Sequence, residues 1–174
     1  MTTERTMLMN MLESQRRHII GTMIDMPDEF LLAENLPSRW SPAGLVHHLT
    51  HDVERFWFRK VLVNDPDWQG MVAGIEAWDV PQGRTGAQVV AAYQDETDAI
   101  NRLLATIDLD AAPQWWDKDL FGHGSPVNQR EILLHVIAET ATHAGHMDIV
   151  RELHDGRQNL VLTDETRAAR MSTQ

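Results

Sequence analysis

The chain has 174 residues, a formal net charge of -11 and no cysteine, and 43% of its residues are hydrophobic. This composition is typical of one globular domain, which we expect to span residues 1–174, and it excludes a disordered or fibrous chain. The acidic balance disfavours nucleic acid and membrane surfaces as partners, and the missing cysteine excludes disulfides, protein thiolate ligands and a cysteine nucleophile. Because neither an apolar leader nor 18 consecutive apolar residues occur, we expect a cytoplasmic protein.

Hydrophobic periodicity predicts four amphipathic helices, spanning residues 4–24, 41–63, 85–107 and 128–154. Proline and glycine punctuate residues 64–84, which predicts a long crossover between the second and third helices, with at most one short helical turn. A second loop precedes the fourth helix, and no segment shows the alternation of a strand. The sequence therefore predicts an all-α protein, and an antiparallel four-helix bundle is the simplest way to bury four apolar stripes.

Residues at the predicted helix ends support these boundaries. Ser41 followed by Pro42 is a strong start signal, because serine caps the free amide groups and proline suits the first helical position. Thr85 can cap the third helix in the same way. Gly156 follows Asp155 and is typical of the position just after a helix.

Polar residues interrupt the apolar stripe of the fourth helix. At about 100° per residue, Glu139, His143 and His146 lie on the side that Val136 and Met147 define. Their spacings of four and three residues bring the side chains together. A divalent metal would compensate for the burial of these groups, whereas a hydrogen-bonded network between the glutamate and a charged histidine is the structural alternative.

A metal at this position needs a further ligand from another helix, and the second helix offers His47, His48 and His51. His48 borders the apolar stripe of that helix, His47 points nearly away from the core, and His51 lies further round. We therefore choose His48 as the ligand. Asp52, one turn later, could orient the His48 imidazole or could be an ordinary solvated charge.

Two segments resemble the signature stretches of the DinB-like superfamily, in its actinobacterial branch. They are Trp-Ser-Pro-Ala-Gly-Leu-Val-His-His-Leu at residues 40–49 and the Glu-x-x-x-His-x-Gly-His string that begins at Glu139. The resemblance covers nearly the whole chain and implies a metal site built from His48, Glu139 and His143. Many members carry histidine where this chain has Glu139, and relatives with glutamate resemble the mycothiol-dependent maleylpyruvate isomerase type. Zinc is the expected metal, nickel and iron are alternatives, and His146 would be either a further ligand or a supporting catalytic residue.

The same resemblance implies a thiol-dependent transferase, in which a low-molecular-weight thiol such as mycothiol or bacillithiol attacks an electrophilic small molecule. A metal-bound thiol is deprotonated at neutral pH, and a protein without cysteine needs a thiol from outside. One competing hypothesis is a non-enzymatic metal-binding or stress-associated helical module, and a weaker one is a ligand-binding module without metal. An open metal position beside a cavity large enough for a thiol would favour the transferase.

Several other residues could contribute to such a site, and we also consider a homodimer plausible. The tryptophans could line a pocket for the electrophile, although core or loop anchoring is the simpler explanation for each one alone; they are Trp57, Trp68, Trp78, Trp115 and Trp116. Three arginines could bind a carboxylate or a sugar hydroxyl, with a solvated charge as the alternative; they are Arg55, Arg59 and Arg130. No role is assigned to four further histidines, which are His18, His123, His135 and His154.

Overall fold

The computed structural model describes residues 3–68, 75–122 and 124–157, and these residues are all helical or irregular, without a strand. The all-α prediction is confirmed for this part of the chain. In chain order the helices are α1 (Glu4–Met23), α2 (Asp28–Leu31), α3 (Pro42–His48), a π-helix (Leu49–Leu62), a 3-10 turn (Ile75–Trp78), α4 (Gly86–Leu104), α5 (Lys118–Phe121) and α6 (Gln129–Asp155). His123 and the polar C-terminal tail lie outside the described residues, and a single domain over residues 1–174 stays a prediction.

The capping residues lie where the sequence predicts them. The Ser41 side chain accepts a hydrogen bond from the Gly44 amide, and Pro42 is the first residue of α3. Thr85 and Gln88 bond each other's backbone amides at the start of α4, which is a complete capping box. Gly156 follows α6 with a φ of 76°, in the left-handed region that glycine adopts without strain.

The second predicted helix is not one uniform α-helix. Residues Pro42–His48 are α-helical, and Leu49–Leu62 continue directly as a π-helix, whose hydrogen bonds span five residues. The buried residues of this segment include Leu49, Val53, Phe58 and Leu62, which recur at intervals of four to five residues. The π-helix has a wider turn than the α-helix, and this wider turn brings residues with such a spacing to one face. The buried residues therefore recur at a longer interval than the rotation of 100° per residue in an α-helix would give.

The long helices pack on one another around one hydrophobic core. The most extensive helix contact is between α1 and α6, and the π-helix packs against both α4 and α6. A buried ion pair crosses this core, since the Arg16 guanidinium donates to both carboxylate oxygens of Glu54 at 2.8 and 2.6 Å and to Asn101 at 2.8 Å. Charges in this position are satisfied by each other, as buried charges must be.

The crossover between the π-helix and α4 contains the predicted short helical turn, Ile75–Trp78, which packs against α3. Gly44 makes this contact possible, because a Cβ atom at that position would lie 2.5 Å from the carbonyl oxygen of Trp78. The turn also contacts the C-terminal end of α3, where the Trp78 ring stacks on His48. Within the described ranges, every helix is too short or too polar to cross a membrane.

Candidate metal centre

Three predicted ligand residues meet between α3 and α6. His48 is the last residue of α3, and Glu139 and His143 are one turn apart on α6. One ligand atom from each residue lies within 4.8 Å of the other two. The closest pair is His143 Nε2 and Glu139 Oε1 at 3.3 Å, and the ring centroids of His48 and His143 are 5.2 Å apart.

Asp52 determines which nitrogen of His48 is available. His48 Nδ1 and Asp52 Oδ2 are 3.0 Å apart, and because a carboxylate only accepts hydrogen bonds, the proton belongs on Nδ1. The Nε2 atom then carries the lone pair that a metal needs. Of the two interpretations of Asp52, the orienting one is supported, since its side chain is only 16% exposed and contacts the histidine.

The group is partly buried, and its environment favours the neutral form of His143. The His143 side chain is 10% exposed, whereas Glu139 is 38% exposed on the outer side of the group. Burial lowers the pKa of His143 below its ordinary value, and the neighbouring His48 lowers it further, while Glu139 acts in the opposite direction. A neutral His143 has a free lone pair at neutral pH, which is the form that binds metal.

The donor set fits a divalent metal. Ligands at about 2.0 to 2.2 Å in a tetrahedral zinc site lie about 3.3 Å from each other, which matches the His143 to Glu139 distance. Since the ligand atoms lie within 4.8 Å of one another, the distances to His48 need to shorten by at most about 1.5 Å to close a site of this size. Two imidazole nitrogens and one carboxylate oxygen suit zinc, nickel or iron(II).

His146 does not lie in the buried stripe of α6, so that part of the sequence analysis is wrong. The side chain is exposed, and its Nδ1 lies 3.4 Å from Nδ1 of His143. A Cβ atom added to the preceding Gly145 would meet nothing within 4 Å. The space at Gly145 and the exposure of His146 show that helical spacing alone overstated the width of the buried face of α6.

Tryptophans flank the group on the crossover side. The Trp78 ring stacks on His48 with centroids 4.1 Å apart and meets His143 edge-on at 5.8 Å. The Trp40 ring lies 6.3 Å from His146, and the only sequence signal at Trp40 is the signature stretch at residues 40–49. His47 is half-buried, because its Nδ1 bonds the Ala77 carbonyl of the same crossover turn at 2.8 Å.

The remaining predicted pocket tryptophans form a separate aromatic cluster with Phe56 and Phe121. It contains Trp57, Trp68, Trp115 and Trp116. The Trp57 ring of this cluster lies 4.2 Å from the ring of His135, which precedes Glu139 by one helical turn. Of the five tryptophans proposed for the pocket, only Trp78 contacts the candidate ligands among the described residues.

The three arginines considered as ligand-binding residues have carboxylate partners. Arg55 and Arg59 both bond Glu96, at 2.8 and 2.6 Å, and Arg130 bonds Glu4 and Asp110. Their first role in this structure is therefore to hold helices and loops together. Arg55 nevertheless keeps 39% of its side chain exposed.

A surface cleft of about 900 Å³ lies beside the crossover turn. Trp40 and Trp78 are part of its wall, and both contact histidines of the metal group or its flank. The three candidate ligands are not part of this wall, so the cleft adjoins the group through the two tryptophans. Its volume is in the range of small-molecule binding sites.

The structure is that of a helical protein with a potential metal centre, which two histidines and a glutamate form in one half-buried group. Comparison with protein families identifies its class further: the family model described as Mycothiol-S-transferase matches residues 7–156. The chain therefore belongs to this family, which is part of the DinB-like superfamily, and the resemblance seen in the sequence is confirmed. Searches of curated proteins and of solved structures gave no match.

Proposed function

We propose that this protein is a divalent-metal-dependent S-transferase that joins mycothiol to electrophilic small molecules, and that its long helices form an antiparallel four-helix bundle. The observation that carries the proposal is the convergence of His48, Glu139 and His143 in a chain of the mycothiol-S-transferase family. Such a group without metal leaves two imidazoles and a carboxylate facing one another. With metal, each of the three becomes a satisfied ligand.

In this proposal His48 Nε2, His143 Nε2 and a carboxylate oxygen of Glu139 hold the metal, with zinc as the expected ion and nickel or iron as alternatives. The bound metal supplies acidity, because it lowers the pKa of a coordinated thiol so that the thiolate predominates at neutral pH. Asp52 keeps the proton of His48 on Nδ1 and thereby fixes the direction of Nε2. Three protein ligands leave a position for the sulfur.

His146 lies close enough to His143 to support it as a metal ligand. If His143 uses Nε2 as ligand, its Nδ1 carries the proton and donates to Nδ1 of His146, 3.4 Å away. The exposed His146 ring can pass protons to water at its other nitrogen. We therefore assign His146 the role of supporting His143 and of moving the proton that the thiol releases.

The reaction balances without a protein nucleophile. The S–H bond of the thiol breaks, sulfur forms a C–S bond with the electrophilic carbon, and the displaced group departs with the proton. A chain without cysteine cannot supply the sulfur itself, which agrees with a thiol cosubstrate. Trp78 and Trp40 place an apolar wall beside the group, where a small electrophile can exclude water.

The test is a conjugation assay with mycothiol, bacillithiol and glutathione against a panel of electrophiles, with and without chelator. We expect turnover that chelation abolishes and that His143→Ala abolishes too. The matched control is His154→Ala, the same change on the same helix, at a ring that contacts Phe30 and not the metal group. A fully metallated protein without thiol turnover would favour the non-enzymatic metal-binding module.

A homodimer stays a prediction. Exposed apolar side chains on α1 and α6 include Met11, Ile149 and Leu153. Analytical ultracentrifugation of the metal-loaded protein measures the association state directly.

A further inference from the structure

A second, smaller cavity of about 200 Å³ opens where the π-helix approaches the start of α4. Its polar side is formed by His51, Arg55 and Arg84, and its apolar side includes Val89 and Ala92. No acidic side chain belongs to its described wall. Two guanidinium groups thus line one concave site in a chain with a net charge of -11, and one of them, Arg55, pairs with Glu96 outside the described wall.

The charges around this cavity do not cancel. Glu96 accepts from both Arg55 and Arg59, and Asp65 lies 3.3 Å from Arg59. These two acids therefore balance those two arginines. Arg84 has no ion-pair partner among the described residues. Of the two acids in the wall of the larger cleft, Glu34 pairs with Arg39, and neither Glu34 nor Asp79 belongs to the wall of the small cavity.

His51 adds a hydrogen-bond donor. Arg55 Nη1 lies 3.4 Å from His51 Nδ1, and because a guanidinium only donates, this nitrogen of His51 accepts. Burial, together with His47 and Arg55, lowers the pKa of His51 to about 4. The ring is neutral at pH 7, with its N–H at Nε2.

The small cavity adjoins the cleft beside the metal group. The two cavities share the wall residues Pro81 and Arg84, and the larger one also includes Trp78 beside the metal group. Arg84 therefore stands at the junction between the small cavity and the cleft.

We propose that Arg84, Arg55 and the Nε2–H of His51 form a carboxylate-binding subsite, and that the electrophilic substrate carries the carboxylate. This proposal rests on the proposed transferase function. Arg84 supplies the uncompensated charge, and Arg55 keeps donors available beyond those used on Glu96. Mycothiol itself carries no carboxylate, so with this thiol the anion has to belong to the other substrate.

The first test is direct binding to the metal-loaded protein, with succinate and its uncharged dimethyl ester as probes and calorimetry as the readout. We expect Arg84→Gln to weaken succinate binding about 10- to 100-fold, the range for a charge-assisted hydrogen bond, and to leave ester binding within about twofold. Arg17→Gln is the matched control, because it removes the same charge from an exposed position on α1. Equal succinate affinity in Arg84→Gln and the unaltered protein, or equal losses in both variants, would overturn the subsite.

The second test separates the source of the carboxylate and uses steady-state kinetics. We expect Arg84→Gln to raise the KM of a haloalkanoate about 10-fold or more, while the KM of its methyl ester and that of mycothiol change little. If the variant instead weakens glutathione and not the haloalkanoate, the carboxylate belongs to the thiol and the assignment is wrong. The binding test does not require turnover, so failure of the subsite is distinguishable from failure of the transferase.

Discussion

The hydrogen bond between Asp52 and His48 predicts a specific loss of metal affinity in Asp52→Ala. Asp52 Oδ2 lies 3.0 Å from His48 Nδ1 and holds the proton there, so that Nε2 points to the metal group with a free lone pair. Without this acceptor the ring can rotate or protonate at Nε2. Loss of such an orienting partner typically weakens metal binding about 10- to 100-fold.

This loss converts into a measurable change in stability. At a metal concentration 100 times the dissociation constant, binding stabilises the folded protein by about 2.7 kcal/mol. A 10-fold weaker site would give about 1.4 kcal/mol at the same concentration, and a 100-fold weaker site about 0.4 kcal/mol. Thermal unfolding with and without zinc therefore distinguishes the variant, and competition with a chromophoric chelator gives the affinity itself.

The chain contains a matched control for this experiment. His18 Nε2 and Asp148 Oδ1 form a similar pair at 2.7 Å between α1 and α6, away from the metal ligands. Asp148→Ala should lower the stability of the metal-free protein but leave the stabilisation by zinc unchanged. The reasoning is refuted if Asp52→Ala binds zinc as tightly as the unaltered protein, or if both variants lose zinc affinity equally.

Three further predictions concern activity, packing and pH. His146→Gln should reduce turnover about 10- to 100-fold in the conjugation assay at a metal concentration that saturates the site, where metal content stays unchanged because the side chain supports a ligand and is not one. Gly44→Ala should reduce turnover and lower the free energy of unfolding in urea, because the new Cβ atom would collide with the Trp78 carbonyl. Gly145→Ala is the matched control: it has open space around it and should raise that free energy by about 1 kcal/mol. His51 has a folded pKa of about 4, below the unfolded value of about 6.5, so the unfolded state binds more protons between these pH values. The free energy of unfolding should therefore fall on acidification from pH 6.5 to 4, and His51 contributes at most about 1.4 kcal/mol per pH unit to this fall. Urea unfolding over this pH range should show a smaller fall in His51→Gln than in the unaltered protein.

Local chemistry explains what could be predicted from the sequence. Caps such as Ser41, Thr85 and Gly156 act within one turn of chain, and their helices begin or end within three residues of the predicted positions. The spacing of Glu139 and His143 is likewise a local property of a helix. Adding His48 required only the assumption that two apolar stripes face each other.

What could not be predicted depends on contacts between distant segments. The π-helix shifts the buried face of residues 49–62, and no local signal in the sequence marks it. The crossover turn covers His47 and stacks Trp78 on His48. This packing depends on Gly44, because only a residue without a Cβ atom leaves room for the Trp78 carbonyl, which is more than 30 residues away in the chain. The exposure of His146 depends on which flank of α6 its neighbours leave uncovered.

The most direct measurement of the central claim is the rate of mycothiol conjugation as metal is added back to metal-free protein. We expect the rate to rise in proportion to bound metal and to level off at about one ion per chain. His143→Ala should show neither bound metal nor turnover over the same range. A rate that is independent of added metal, or a His143→Ala protein that responds like the unaltered one, would contradict a catalytic metal at His48, Glu139 and His143.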